Sequence, residues 1–429
     1  MGADLDALAH SILKENDLGG YTIPTKGLYP YQWNWDSVFV AIGFATFDLD
    51  RAWQEIENLF EGQWDDGMLP HILFRKNDPS YFPGPGVWGT KSDPFPTSGH
   101  SQPPVAATAV RDLFEQSSAP ENVSRAKTLF PKLMAWHRWW ATYRDPKGHG
   151  TVAIVHPWES GRDNLPDWDE PLSNVDTTGV PEYTRKDTAH VDPEMRPLKQ
   201  DYDRYMAILT IGKACGWDAT EVVEKTPFLV ADPAITMILL RANRDLLVLA
   251  EKLGFQKDKA EIEGWIAKQE RGMETLWNPE IQAYVTRNLR TDVLGAGVSS
   301  ASFLASYAGL SDPKVIEPLN AHFDRIAGKV EFMLPSYDPD HAGFEHKRYW
   351  RGPIWAVVNY LAARGMTEAG DVARAEKIRQ DTVSLVERSG FAEYFSPEDG
   401  SGAGGNSFSW TAAVWLAWAT PSLAVNKAA

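Results

Sequence analysis

Helical periodicity runs through this chain from end to end, but it comes in two kinds that take turns, and that alternation restricts the fold more than any other feature. Segments such as WDSVFVAIGFATF, VSSASFLASYAGL, GPIWAVVNYLAA and FSWTAAVWLAWAT are apolar nearly all round and contain small residues that allow close approach. Segments such as DLDRAWQEIENLFEG, QKDKAEIEGWIAKQER and EAGDVARAEKIRQDTVSLVERSG have one apolar stripe and one charged face. The first kind has to be buried on most sides, whereas the second faces water. Two concentric layers of helices follow.

The spacing predicts helices near 3–16, 35–46, 49–61, 103–115, 120–143, 198–214, 231–253, 255–275, 297–308, 311–327, 352–364, 367–388 and 408–420. Those beginning at 35, 103, 231, 297, 352 and 408 are of the inner kind. With 198–214 set aside as an extra element, six inner and six outer helices make an all-α fold, an (α/α)6 barrel or toroid. The 429 residues, 43% of them hydrophobic, can bury one core of that size, so 1–429 is read as a single domain. A stacked solenoid would need a fixed sequence repeat, and none of 30–50 residues is present.

The loops are unequal. Those entering inner helices are long and loaded with aromatic, Pro, Gly and polar residues: YPYQWNWD, the stretch 62–102, KRYWRGP and GSGAGGNSFSW. Those leaving inner helices are short. Inner helices of such a barrel run the same way, so the long loops open on one face, where irregular segments of this length tend to be functional. The Pro-rich and acidic stretch after 145 reads, together with helix 198–214, as an inserted cap-like excursion over that face, 145–214.

The charge balance narrows the partners. With 58 acidic and 42 basic residues the formal net charge is −16, a field that repels nucleic acid and anionic membrane surfaces. Cys215 is the lone cysteine, so neither an internal disulfide framework nor a multi-cysteine metal site is available. The start MGADLDALAH is acidic where an export signal is basic, and no window approaches a membrane span. The expectation is a cytoplasmic protein.

Three constellations carry chemistry. HPWESGRDNLPDWD places Glu159, Asp163, Asp167 and Asp169 among aromatic residues. GFAEYFSPEDG sets Glu393 between aromatics, while Glu398 reads as an exposed turn residue. Two carboxyl groups in different environments are what glycosidic cleavage requires: one protonates the departing oxygen, the other deprotonates a water on the opposite face. The third constellation is aromatic, YPYQWNWD and YWRGPIW. Sugars present apolar C–H faces beside their hydroxyls, and flat rings flanked by Asp, Asn, Gln and Arg suit them. The 18 Trp residues, concentrated on the loop side, point to a small carbohydrate as the partner.

The combination of WESGRDN, YPYQWNWD, YWRGPIW and EYFSP with FSWTAA resembles glycoside hydrolase family 63, in particular its bacterial mannosylglycerate and glucosylglycerate hydrolases, over nearly the whole chain. The resemblance implies a cofactor-independent, inverting α-glycosidase with Asp163 as general acid and Glu393 as general base. It places Tyr29, Trp33, Trp35, Asp36, Tyr81, Gln102 and Trp158 around the sugar, with Tyr349, Trp350 and Trp355 completing the pocket wall. An Arg and a Tyr that meet glycerate correspond to Arg196 and Tyr202 in MRPLKQDY. The chain departs from the glucosylglycerate enzymes before FSWT, where Asn406 and Ser407 replace a Gln.

Other readings remain on the same architecture: a neutral glucoside or oligosaccharide as substrate, a non-catalytic carbohydrate-binding toroid, or an epimerase. An epimerase would use histidines as proton carriers in the barrel mouth, whereas the candidate pair here is carboxylic. A metal centre is not expected, because His341, Glu345 and His346 fit no hydrolytic metal spacing.

Overall fold

The computed structural model describes residues 2–90, 92–189 and 191–423. Its principal helices are α1 (Gly2–Asn16), α2 (Asn34–Phe44), α3 (Leu49–Leu59), α4 (Ala106–Glu115), α5 (Pro120–Tyr143), α6 (Lys199–Ala214), α7 (Pro233–Leu253), α8 (Lys259–Gly272), α9 (Pro313–Ala327), α10 (Ala356–Glu368), α11 (Val372–Ser389) and α12 (Ser409–Val414). Capping chemistry sets several starts. Asp232 and Asp312 accept hydrogen bonds from the first-turn amides of α7 and α9, and each is followed by a Pro whose missing N–H costs nothing there.

The inner layer closes on itself. Helix α2 packs on α4, α4 on α7, α7 on a 3-10 turn at Ser300–Leu304, that turn on α10, α10 on α12, and α12 back on α2. Each inner element also packs against the outer helix that follows it, and α12 takes α1, from the far end of the chain. The result is the expected (α/α)6 toroid. Every residue of α2 except Ile42 is buried, as an apolar-all-round helix demands.

Small residues permit the closest approaches. A Cβ on Gly43 of α2 would stand 2.5 Å from the Cα of Ala413 in α12, and one on Gly365 of α10 would stand 2.2 Å from the backbone N of Tyr307.

One predicted element differs. The segment 297–308 is not a continuous α-helix but the short 3-10 turn followed by turns up to Gly309. Backbone pairing explains this. The Ser300 N–H donates to the Ser336 carbonyl at 3.0 Å and the Asp338 N–H to the Val298 carbonyl at 2.9 Å, which commits 298–300 to an extended bridge with 336–338 in place of a helical turn. Helix α12 is also cut short, continuing as a π-turn over Trp415–Ala419.

Two-residue antiparallel ladders stitch the long loops together: Gln32 pairs with Leu73, Ala153 with Ala231, Ala231 with Arg287, and Tyr394 with Ala403. Among the described residues no helix is long and apolar enough to cross a membrane.

Gly43→Ala is expected to destabilise the protein by roughly 1–3 kcal/mol through overpacking at the α2–α12 contact. Gly264→Ala, in α8 with open space where its Cβ would go, should stabilise it by about 0.5–1 kcal/mol. Urea unfolding of the two variants distinguishes these effects, and a shift of the same sign in both would contradict the packing argument.

Candidate active site

A single pocket opens where the segments preceding inner helices converge. Its wall contains Tyr29, Trp33, Trp35 and Asp36 from the entry to α2, Tyr81 and Gln102 from the loop before α4, and Trp158 and Asp163 from the loop before α7. Tyr349 and Trp350 arrive from the loop before α10, Glu393 from the segment before α12, and Arg196 and Tyr202 from the excursion. Of the residues expected around the sugar, only Trp355 is absent from the wall. As the residue capping α10, it lies flat beneath Trp350, with ring centroids 3.9 Å apart, and donates its indole N–H to the Tyr349 carbonyl at 3.1 Å. It supports the wall and does not form it.

Local folding explains which carboxylates are free. In the 156–169 loop, Glu159 is fully buried and receives both Nε and Nη2 of Arg144 at 3.0 Å, together with the amides of Ser101 and Val155. Asp167 accepts the Tyr337 hydroxyl at 2.5 Å, and Asp169 is clamped by Arg351 through two bonds of 2.8 Å. Asp163 alone of the four reaches the pocket. Among the described residues its carboxyl is paired with no basic side chain, and burial pushes it up to about 7, with Arg196 opposing the rise and Glu393 adding to it. At neutral pH this group is poised to give up a proton.

Glu393 is in a different environment. It is buried, which raises it, but Tyr29 donates to Oε1 at 2.9 Å, the Gly405 amide donates to Oε2 at 2.9 Å, and Arg196 Nη1 lies 3.7 Å from Oε1. Those contacts favour the carboxylate form. Burial outweighs these contacts, so Glu393 too is raised, but it alone of the two carries donors to its carboxylate form, whereas Asp163 has none from another side chain among the described residues. Asp36, a third pocket carboxyl, is raised well above its ordinary value by burial and then by Glu393, so it can donate a hydrogen bond to a ligand hydroxyl.

Arg196 is the pocket's central cation. It donates to Asp187 at 3.0 Å and to the Tyr29 hydroxyl at 2.9 Å, and its guanidinium sits 4.3 Å from the centre of the Tyr349 ring. Tyr349 has φ 41°, a left-handed conformation uncommon for a bulky residue. Tyr202 turns its hydroxyl to the Phe82 carbonyl at 3.2 Å.

Sequence reasoning missed several wall residues: His71, Phe82, Lys186, Asp187, Phe408 and Trp410. His71 stacks on His100, which stacks on His156, and burial keeps all three neutral. Trp410 and Phe408 lay within a motif already singled out, but His71 and Asp187 stand in segments with no local chemical signature. Asn406 and Ser407 are exposed and do not reach the pocket; their carbonyls accept hydrogen bonds from Thr25 and Asn16. Glu398 is an exposed turn residue beside His346, as expected.

Residues 29–411 match the family model for the mannosylglycerate hydrolase MGH1-like glycoside hydrolase domain. The chain belongs to this family. It is a glycosidase of glycoside hydrolase family 63. The chain is 45% identical to mannosylglycerate hydrolase MGH1 of Selaginella moellendorffii over 95% of its own length and 84% of the relative's. It is 33% identical to a glucosylglycerate hydrolase of Mycolicibacterium hassiacum over 96% of its length and 97% of that protein's. Among solved structures, the family 63 mannosylglycerate hydrolase of Thermus thermophilus, in complex with Tris and D-glycerate, superposes with a TM-score of 0.93 at 46% identity, covering 96% of this chain and 99% of that one.

The raised Asp163 carboxyl predicts a pH signature in stability. Folded Asp163 keeps its proton to about pH 7, whereas an unfolded Asp releases it near 3.8. The fold therefore loses stability as pH rises through that interval and levels off above it. Asp163→Asn removes the effect. Its melting temperature should exceed that of the wild type by a margin that widens from pH 4 to pH 7 and then stays constant. A margin that ignores pH would mean that Asp163 is already ionised in the folded protein.

Proposed function

We propose that this glycosidase hydrolyses the α-glycosidic bond of mannosylglycerate or glucosylglycerate with inversion, releasing the sugar and glycerate. The observation that carries the reading is the pairing in one pocket of two buried carboxyl groups in unlike surroundings, Asp163 with no ion-pair partner among the described residues and Glu393 receiving Tyr29 and the Gly405 amide beside Arg196. We also propose that residues 1–429 act as one catalytic unit, with 145–214 as its inserted cap.

In this mechanism Asp163 passes its proton to the glycosidic oxygen as the bond from that oxygen to the anomeric carbon breaks. Glu393 takes a proton from a water, whose oxygen bonds to the anomeric carbon from the opposite face. Glycerate leaves as the alcohol, and proton exchange with solvent resets both carboxyl groups. Tyr29, hydrogen-bonded to Glu393, keeps the base oriented. Trp33, Trp35, Tyr81, Trp158, Tyr349 and Trp350 offer ring faces to the sugar, and Asp36 and Gln102 meet its hydroxyls. Trp355 holds Trp350 in place. Arg196 and Tyr202 face the aglycone.

Asp163→Asn and Glu393→Gln should each lower turnover by roughly 10²–10⁴-fold, whereas Asp169→Asn should cost far less turnover because its carboxylate serves Arg351. Proton NMR of the first-formed sugar should show the β-anomer, and an initial α-anomer would reassign Glu393 as a nucleophile. These assays also separate hydrolysis from a binding module or an epimerase.

Arg196→Ala should raise KM for the glycosylglycerates by roughly 10–100-fold, the scale of a lost charge-assisted contact, with a smaller change for neutral glucosylglycerol. Equal losses on both substrates would remove carboxylate recognition from Arg196, and a wild-type preference for the neutral compound would favour a neutral-glucoside specificity.

A further inference from the structure

The charges around the pocket do not balance once an anionic aglycone is added. Arg196 is the guanidinium nearest the base, and it is already shared. It contacts Glu393 at 3.7 Å on one side and Asp187 at 3.0 Å on the other. Asp187, which burial alone would push up, is held down to about 2 by Arg196 and Arg185, so it is a carboxylate at any working pH. Arg185 binds Asp187 through Nη2 at 2.6 Å and fastens the same strap by donating to the Pro197 carbonyl, also at 2.6 Å. Both guanidiniums are therefore already engaged with Asp187, and Arg196 with Glu393 as well, so a glycerate carboxylate would find neither of them free.

A further cation stands at this position. Lys186 lines the pocket next to Asp187, and among the described residues its side chain has no hydrogen-bond or ion-pair partner. Most arginines of this molecule are engaged with a carboxylate; this pocket lysine is not. Its exposure also matters. A flexible, hydrated ammonium at the mouth of the pocket can meet an incoming carboxylate without first breaking an existing pair, and in a chain of net charge −16 a local cation is needed to offset the long-range field.

We propose that Lys186 is a specificity-determining residue, the second cation of the aglycone subsite, which with Arg196 receives the carboxylate of the glycosylglycerate. The inference rests on the substrate reading above. Asp187 acts through Arg196 as a positioning residue, fixing the guanidinium between the base and the aglycone.

The test measures KM for mannosylglycerate and glucosylglycerate, and the inhibition constant of D-glycerate, for wild-type enzyme and for Lys186→Met and Lys186→Arg. Because Lys186 is exposed, the expected rise in both constants for Lys186→Met is about 3–10-fold, with little loss in kcat and substantial recovery in Lys186→Arg. The increase of KM with added salt should also be shallower in Lys186→Met, a readout that a purely structural defect would not produce. Unchanged KM and inhibition constants in Lys186→Met, or an equal loss on neutral glucosylglycerol, would overturn the proposal while leaving the substrate reading intact. Wild-type enzyme that cleaves neither glycosylglycerate and ignores D-glycerate would overturn the substrate reading and this inference together.

Discussion

The contact between α2 and α12 is the constraint on which the rest depends. It joins the first inner helix to the last, across about 370 residues of chain, and it works because Gly43 lets the two backbones meet at Ala413. Closing the ring there does more than bury apolar surface. It carries Tyr29, Trp33 and Asp36, which precede or open α2, to the side of Glu393 and Trp410, which precede or open α12. The hydrogen bond from Tyr29 to Glu393 is a direct product of that closure. A barrel left open at this seam would separate Glu393 from Tyr29, Trp33 and Asp36 across the pocket.

Within the closed ring, burial creates the chemistry and a small number of pairings direct it. Apolar and aromatic surroundings raise every pocket carboxyl that lacks a cation, which is why Asp36 and Asp163 tend to keep their protons. Other carboxylates from the same loop are consumed structurally: Glu159 by Arg144 and Asp169 by Arg351. These pairs fix the loop's course, so that Asp163 is presented to the pocket without a partner of its own. Unpaired buried carboxyl groups cost stability, and groups so perturbed cluster at functional sites.

The excursion supplies what the barrel lacks. Inner-helix loops bring aromatics and carboxyl groups, but the pocket's cations, Arg196 and Lys186, come from the 185–202 strap. Arg185, Asp187 and Arg196 hold that strap together as an ion triad lying against the aromatic wall of Tyr202 and Tyr349. In the proposed reading this is a division of labour, in which the loops of a helical toroid meet the sugar and the inserted segment meets what is attached to it.

The sequence by itself determined the two helix populations, and with them the layered toroid, because whether a helix is apolar on one face or all round is a local property of periodicity. It also determined which side of the barrel carries the site, since long aromatic loops precede inner helices and short ones follow them. Family-like motifs then marked Asp163, Glu393 and much of the aromatic pocket wall, though not His71, Phe82, Lys186 or Asp187. Only the tertiary structure decided the remainder. That Asp163 is the unpaired acid depends on Arg144, Tyr337 and Arg351, residues that no spacing within the loop reveals. Trp355 stands behind the wall because its ring found a parallel surface in Trp350, and 297–308 failed as a helix because the backbone of 298–300 pairs with 336–338. Asp187 and Lys186 were invisible for the same physical reason: a charge acquires its role from the charges around it, and here those neighbours are assembled by ring closure from segments far apart in the chain.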